Sequence, residues 1–419
     1  MKTTEFFKTG VCAIALAAAA AGATGASSVF AAEYEMLYGM EVLGGQYFFK
    51  GDRGNVTGSV SGFAVPVVYV NENWTLAPSW SSRYQGTKQA VDLVGAGSLF
   101  AQQMTHRAAA KAIYRKPDSK WAQKGALGYS LQLLKETKDE SWFDGLFDYQ
   151  AVDAGYEAEY FYAEPYSVGF GADVFITHYP NYTSLESQIA TDFNGQSLAR
   201  ELVGDNILDS RTLAFRFALT GKFRESTLYE MNARLLRTTF PQQQVVDGRG
   251  LYSAETREDI GAEWDVSLSR PQELGVALLW TPSVFAGVRN NVSNQNSYDA
   301  LRPKYQSGYY NFTQWSVGQG AAFDFADLRQ PIKVSLNSTL SFRKYPNRKT
   351  QDNAGTYLGD ALTQRRWSLD VTAGYPISPH LRLIFQFEYD RSLSNQAFEQ
   401  FYSYNYASTN YMGGFRYEY

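Results

Sequence analysis

Two carboxylate pairs, Glu157/Glu159 and Glu263/Asp265, and three histidines, His106, His178 and His380, are the residues of this 419-residue chain best suited to proton transfer. General acid–base or nucleophilic catalysis needs such groups within hydrogen-bond reach of their partners. Neither His106 nor His178 has a recognisable nucleophile motif nearby, and His380 falls in a short turn between strand-like runs. The patterns G-x-S-x-G, H-E-x-x-H and G-x-x-x-x-G-K-[ST] do not occur. Both carboxylate pairs are spaced i,i+2, and alternate positions of a strand share a face, so a solvated wall is the expectation. One cysteine and three histidines are too few for a transition-metal site. Loop carboxylates such as Asp205 and Asp209 leave calcium open as a ligand. The chemistry therefore points away from an enzyme and to no cofactor.

The elements that carry these residues read as strands. Leu381, Leu383, Phe385, Phe387 and Tyr389 alternate with Arg382, Gln386, Glu388 and Asp390. Ile332, Val334, Leu336, Leu340 and Phe342 oppose Lys333, Ser335, Asn337, Thr339, Ser341 and Arg343. The same alternation sets Leu213, Phe215, Phe217, Leu219 and Phe223 against Thr212, Arg216, Thr220 and Lys222. It sets Ile260, Ala262, Trp264, Val266 and Leu268 against Asp259, Glu263, Asp265 and Ser267. A period of two places one set on each side of a pleated strand. Runs of about ten residues suffice for a tilted strand to cross the hydrocarbon of a bilayer.

Connections alternate between short and long. Short turns are expected at 71–73, 117–120, 163–166, 224–226, 270–273, 328–330 and 378–380, several carrying the Pro, Asn or Asp that shape tight turns. Longer loops are expected at about 51–55, 88–98, 137–148, 181–208, 241–256, 290–310, 347–362 and 395–408. Seven turns and eight loops make sixteen strands, with fourteen or eighteen as the alternatives and both termini on the short-turn side. Pro180, Pro241 and Pro346 each follow an aromatic before a long loop, and a proline cannot donate to a ladder, so each is expected to end pairing at a rim. In the 181–208 loop, Ile189/Phe193 and Leu198/Leu202 sit at i,i+4, the spacing of one helix side; a surface helix and an inward-folded constriction are the two readings.

Export is legible at the N-terminus. Lys2 and Lys8 precede an apolar run from Val11 to Ala21, and Val29-Phe30-Ala31 offers a cleavage site. Residues 1–31 read as a signal peptide and 32–419 as one domain. Cys12 lies inside the signal, so the mature chain carries no disulfide. Loss of Lys2, Glu5 and Lys8 takes the net charge from −4 to −5, which gives no reason to expect nucleic acid as a partner. Mean hydropathy is −0.34 and no apolar stretch of the mature chain is long enough for a transmembrane helix, yet the chain holds 30 Tyr, 27 Phe and 8 Trp. Polar on average and rich in aromatics is what a transmembrane barrel requires, because half of each strand faces water and aromatics form girdles at the interfaces. A soluble periplasmic sandwich or lipocalin-like barrel is the rival, since period two alone does not separate them.

The last strand is the most distinctive. In Thr409–Tyr419, Tyr411, Gly413, Phe415, Tyr417 and Tyr419 share one face, while Asn410, Met412, Gly414, Arg416 and Glu418 share the other. Here the chain resembles bacterial outer-membrane β-barrel proteins, whose closing strand ends on an aromatic. That resemblance implies an all-β, antiparallel, up-and-down barrel that resides in the outer membrane, in contact with its lipid. It also implies that Tyr411, Phe415, Tyr417 and Tyr419 signal to the barrel-assembly machinery. The wall of the lumen is then expected to include Arg107, Lys111, Glu157, Glu159, Asp173, Arg216, Glu230, Arg234, Glu263, Asp265, Lys333, Arg343, Arg366, Asp370, Arg382, Glu388, Asp390 and Arg416, pairing across neighbouring strands. A sixteen-stranded barrel is wide enough for an aqueous channel, so the leading expectation is porin-like diffusion of ions or small polar solutes. Homo-oligomer formation stays open.

A second resemblance points elsewhere. Arg343-Lys-Tyr-Pro-Asn-Arg348, Arg365-Arg366-Trp-Ser-Leu369, Tyr389-Asp-Arg-Ser-Leu-Ser-Asn395 and Tyr402-Ser-Tyr-Asn405 are similar to the last four strands of surface-lipoprotein assembly modifier barrels. That likeness implies assembly, secretion or surface display of another macromolecule. The helical-repeat domain of those proteins is not in the sequence. An adhesin or structural barrel with a blocked lumen is a third reading.

Overall fold

In the computed structural model the described residues are 33–50, 55–88, 100–137, 139–182, 205–224, 226–299, 302, 304–325, 331–399 and 404–419. Sixteen long antiparallel strands are β1 (Glu33–Phe49), β2 (Asn55–Asn71), β3 (Trp74–Lys88), β4 (Phe100–Arg115), β5 (Trp121–Lys135), β6 (Tyr149–Ala163), β7 (Tyr166–His178), β8 (Ser210–Phe223), β9 (Thr227–Val246), β10 (Tyr252–Ser269), β12 (Leu278–Ser293), β15 (Phe312–Phe325), β16 (Ile332–Gln351), β17 (Tyr357–Pro376), β18 (Leu381–Ser394) and β19 (Tyr406–Glu418). Three short pieces complete the order: β11 (Gln272–Glu273), and β13 (Ser297–Asp299) with β14 (Lys304–Gln306), a hairpin in the β12–β15 loop. Each long strand pairs with its sequence neighbours, and β1 pairs with β19 from Gly39↔Glu418 to Phe49↔Ser408. The sheet closes on itself as an up-and-down barrel of the expected sixteen strands, with no edge left to template other chains.

Carrying the registers round the ring returns β1 to itself displaced by about 20 residues. With a rise of ~3.3 Å and a strand spacing of ~4.8 Å, that stagger gives a tilt of about 40° and a backbone radius of about 16 Å. Eight-stranded barrels fill with their own side chains; one this wide does not.

The short turns are built by local side chains. Asn71 Oδ1 accepts from the N–H groups of Asn73 and Trp74, at 2.9 and 3.0 Å, and Ser119 Oγ accepts from Trp121 N–H at 3.0 Å. Residues 328–330, 89–99 and 183–204 lie outside the described residues, as does the whole of the signal segment 1–31. The readings of a helix or constriction over Ile189, Phe193, Leu198 and Leu202 lie there too.

Three expectations are corrected. The 270–273 turn is displaced: β11 pairs with β12 beyond Arg270-Pro271, and the chain reverses at 274–277, where Gly275 takes a φ of +78° that suits glycine. Pro241 and Pro346 do not end their strands. The ladder shifts register there, Arg257↔Phe240 giving way to Thr256↔Gln244 and Tyr345↔Leu362 to Lys349↔Ala361, and pairing then resumes. A bulge absorbs the missing N–H donor, so β9/β10 and β16/β17 run on through residues expected as loop. Pro180 does follow the end of β7, at His178.

Candidate functional site: the charged inner wall

Direct cross-strand partners share a face, which lets one face be followed around the ring. Tyr38, Met40, Val42, Val60, Trp80, Leu127, Tyr156, Phe170, Phe215, Leu235, Trp264, Trp315 and Trp367 are exposed on one face. All eighteen candidate wall residues lie in the opposite phase. That second face is the concave one, because its side chains meet across an intervening strand, and convergence of that kind occurs only towards the axis of a closed sheet.

Arg107 on β4 forks Asp153 on β6 at 2.8 and 2.9 Å, passing over β5, and also donates to Ser130 Oγ at 2.9 Å. Arg216 on β8 donates to both oxygens of Asp173 on β7, at 2.5 and 2.9 Å, and reaches Glu157 on β6 at 3.1 Å. Lys124 holds Glu157 at 2.8 Å and Glu159 at 2.6 Å, and Glu159 also accepts from Ser167 Oγ at 2.5 Å. Lys124, Glu157, Arg216 and Asp173 thus form one charged chain across four strands. Pairing was expected between neighbouring strands only; the longer reach comes from glycine. A Cβ on Gly128 would lie 2.6 Å from Asp153 Oδ1 and 2.7 Å from Arg107 Nη2, and one on Gly171 would lie 3.1 Å from Arg216 Nη2.

Elsewhere Arg289 pairs with Glu263 at 2.8 Å, Arg366 forks Asp390 at 2.9 Å twice, and Arg416 donates to Glu41 across the closing seam at 2.8 and 2.5 Å. Asn232 bridges Glu230 and Asp265, Asn410 donates to Glu388, and Arg343 donates to Gln314. Among the described residues Lys111, Lys333, Asp370 and Arg382 form no ion pair, and Nε of Arg234 is buried without a partner. A recess of about 280 Å³ opens where small residues, Gly169, Gly171 and Ala218, leave room beside Glu157, Arg216, Asn232, Arg234, Glu263 and Asp265.

The paired carboxylates are tied to cations and amides along this wall. Glu157 and Glu159 share one lysine, while Glu263 and Asp265 turn to different partners, Arg289 and Asn232. His178 Nδ1 meets Asp209 Oδ2 at 2.6 Å at the loop-side rim, and Asp209 Oδ1 accepts from Tyr179 N–H at 2.8 Å, a clamp on the end of β7. His106 stands on the apolar face, opposite Ser82 and Leu131. His380 hydrogen-bonds the carbonyl of Glu418 at 3.0 Å. Among the described residues no three His, Cys, Asp or Glu side chains converge on a metal-sized space, and Asp209 is committed to His178.

Lys124, Asp153, Glu41 and Arg289 join the wall without having been singled out. None has a charged residue two positions away in the sequence; Lys124, Glu41 and Arg289 face Glu157, Arg416 and Glu263 only through the strand registers, and Asp153 faces Gly128 and Phe175. The C-terminal aromatics sit on the apolar face, and three cross the seam, Tyr419 on Tyr38 at 5.3 Å, Tyr417 on Tyr38 at 6.0 Å and Tyr411 on Phe48 at 6.1 Å; on the β18 side Tyr419 packs on His380 at 4.9 Å and Tyr411 on Phe387 at 5.1 Å. Phe415 is exposed on the same face.

No protein-family model matches the chain, and no curated protein matches its sequence. Among solved structures it is similar to OccD3 (OpdP) of Pseudomonas aeruginosa, at 6% identity and a TM-score of 0.45, covering 94% of this chain and 93% of that one. Similarity to the outer membrane protein OpdK of the same organism is 9% with a TM-score of 0.44, over 92% and 99%. For OccAB2 of Acinetobacter baumannii the values are 9% and 0.43, over 92% and 98%. Similarity at this level assigns neither family nor activity. The likeness of the last four strands to surface-lipoprotein assembly modifiers is not tested by it.

Proposed function

We propose that the protein is a passive channel of a bacterial outer membrane, exported by a signal peptide over residues 1–31 and admitting ions or small polar solutes. The observation that carries this reading is the division of faces on a closed sixteen-strand ring. One face is apolar and ends in aromatics on the short-turn side, where Trp74 packs on Tyr114 at 4.9 Å and Trp121 on Tyr160 at 5.0 Å. The other is charged and knit by ion pairs. A soluble barrel would expose the wrong face to water, whereas a bilayer accepts it. Most wall charges of either sign are consumed in pairs, so the channel discriminates weakly between cations and anions.

Single-channel recording of the refolded mature chain in a planar bilayer tests the proposal. Stable conductance steps with a reversal potential near zero in a salt gradient are expected. Inserted protein that never conducts would overturn the channel and favour assembly or display of a macromolecule. Tyr411, Phe415, Tyr417 and Tyr419 act in this reading as the insertion signal. Tyr419→Ser should then refold in detergent as the unaltered chain does, while its assembly in cells falls; an equal loss in both settings would make the residue structural only.

A further inference from the structure

The apolar face carries an unpaired basic cluster at its loop-side edge. Lys344 lies two residues beyond Phe342 on β16, Arg365 two before Trp367 on β17, and Arg391 two beyond Tyr389 on β18. The registers Phe342↔Arg365 and Trp367↔Arg391 place the cations on the lipid-facing side. Because Lys344 opposes Thr363 and Arg365 opposes Leu393, Lys344 and Arg391 each stand diagonal to Arg365. Diagonal neighbours are about 7–8 Å apart, and with the strand tilt the three fall near one level. All three are exposed. Among the described residues no carboxylate pairs with any of them, and the one contact is Arg365 over the Phe342 ring at 5.8 Å. Arg237, also on this face near the loop-side rim, is by contrast forked by Glu258 at 2.8 and 2.9 Å.

Directly below the cluster lie Trp315 and Trp367, both exposed, with Trp367 edge-on to Tyr389 at 5.3 Å. Aromatic side chains of this kind mark the height of lipid headgroups. Three cations there, with no protein anion, match phosphate in charge and in geometry, since guanidinium forks phosphate oxygens and lysine adds a point charge. We propose that Lys344, Arg365 and Arg391 form a binding site for a phosphate-bearing lipid of the loop-side leaflet, an inference that rests on the membrane reading above.

Native mass spectrometry of the folded mature chain in detergent, with diphosphoryl lipid A as probe and phosphatidylcholine as comparator, tests it. The unaltered protein should retain lipid A at least ten-fold better than K344Q/R365Q/R391Q, with phosphatidylcholine retained equally by both. The charge-preserving K344R/R365K/R391K should keep most of the retention. Equal lipid A retention by the glutamine variant, or displacement of the lipid by millimolar inorganic phosphate, overturns the proposal. Should the triple variant fail to fold, as judged by heat-dependent gel mobility, R365Q alone must lower retention at least three-fold, and an unchanged value counts against the site. Binding is read in detergent, so it is scored whether or not the barrel conducts.

Discussion

Arg107 and Asp153 meet over a strand that offers no side chain at the crossing, Gly128 of β5. The fork is partly exposed, at 44% for Arg107 and 12% for Asp153, so water and salt screen it. Gly128→Val should push the two tips apart without disturbing the backbone, at a cost of about 0.5 kcal/mol that shrinks further at high salt. Urea unfolding with and without added salt checks this; a large, salt-independent loss would mean that the glycine serves the strand and not the fork. In the proposed channel the freed charges also face the lumen. Arg216→Gln removes the cation that ties Asp173 to Glu157 and should shift the reversal potential towards cation preference, with folding preserved.

Hairpins that rise above the ring depend on side-chain caps. In the 247–251 turn, Asp247 accepts from the N–H groups of Leu251 and Arg249, both at 2.9 Å, and from the Arg249 guanidinium. The Leu251 N–H, and then Arg249, hold its carboxyl below the usual carboxylate range. A depressed folded-state value stabilises the turn above the ordinary pKa of about 3.9 and loses that contribution as pH falls through the lower one. Amide protection at Arg249 and Leu251, taken relative to the intrinsic exchange rate at each pH, should therefore be high at neutral pH and fall in acid, with no such fall at Asn73, whose acceptor is an amide. Equal pH responses at the two turns would remove Asp247 from this role. The bulges at Pro241 and Pro346 belong to the same scale: a local rule, that proline lacks a donor, was overridden by pairing on both sides of it.

Closure is a property of the whole ring. At the seam β1 and β19 approach through glycines on the inner face: a Cβ on Gly45 would lie 1.7 Å from the carbonyl oxygen of Tyr411, and one on Gly414 1.9 Å from that of Val42. Backbone cannot yield as a side-chain tip can. Gly45→Val is expected to cost about 3 kcal/mol or more and to abolish the heat-dependent mobility shift of the folded barrel; a variant that still shows the shift would mean the seam has slack. The radius of about 16 Å that follows from sixteen strands and their stagger is likewise collective, and it is what the conductance measurement reads.

Alternation, turn residues and the aromatic C-terminus made the strand count and the division of faces legible in the sequence, because side-chain direction along a strand is fixed locally by its period of two. Positions such as Arg216, Glu157 and Arg416 could be placed in phase on that basis alone. Their partners could not. That Glu41 meets Arg416 depends on a register set 375 residues apart in the chain, and that Arg107 meets Asp153 depends on curvature bringing alternate strands together above Gly128. The three cations at Lys344, Arg365 and Arg391 are unremarkable within their own strands. Only the registers of β16, β17 and β18 bring them into one cluster.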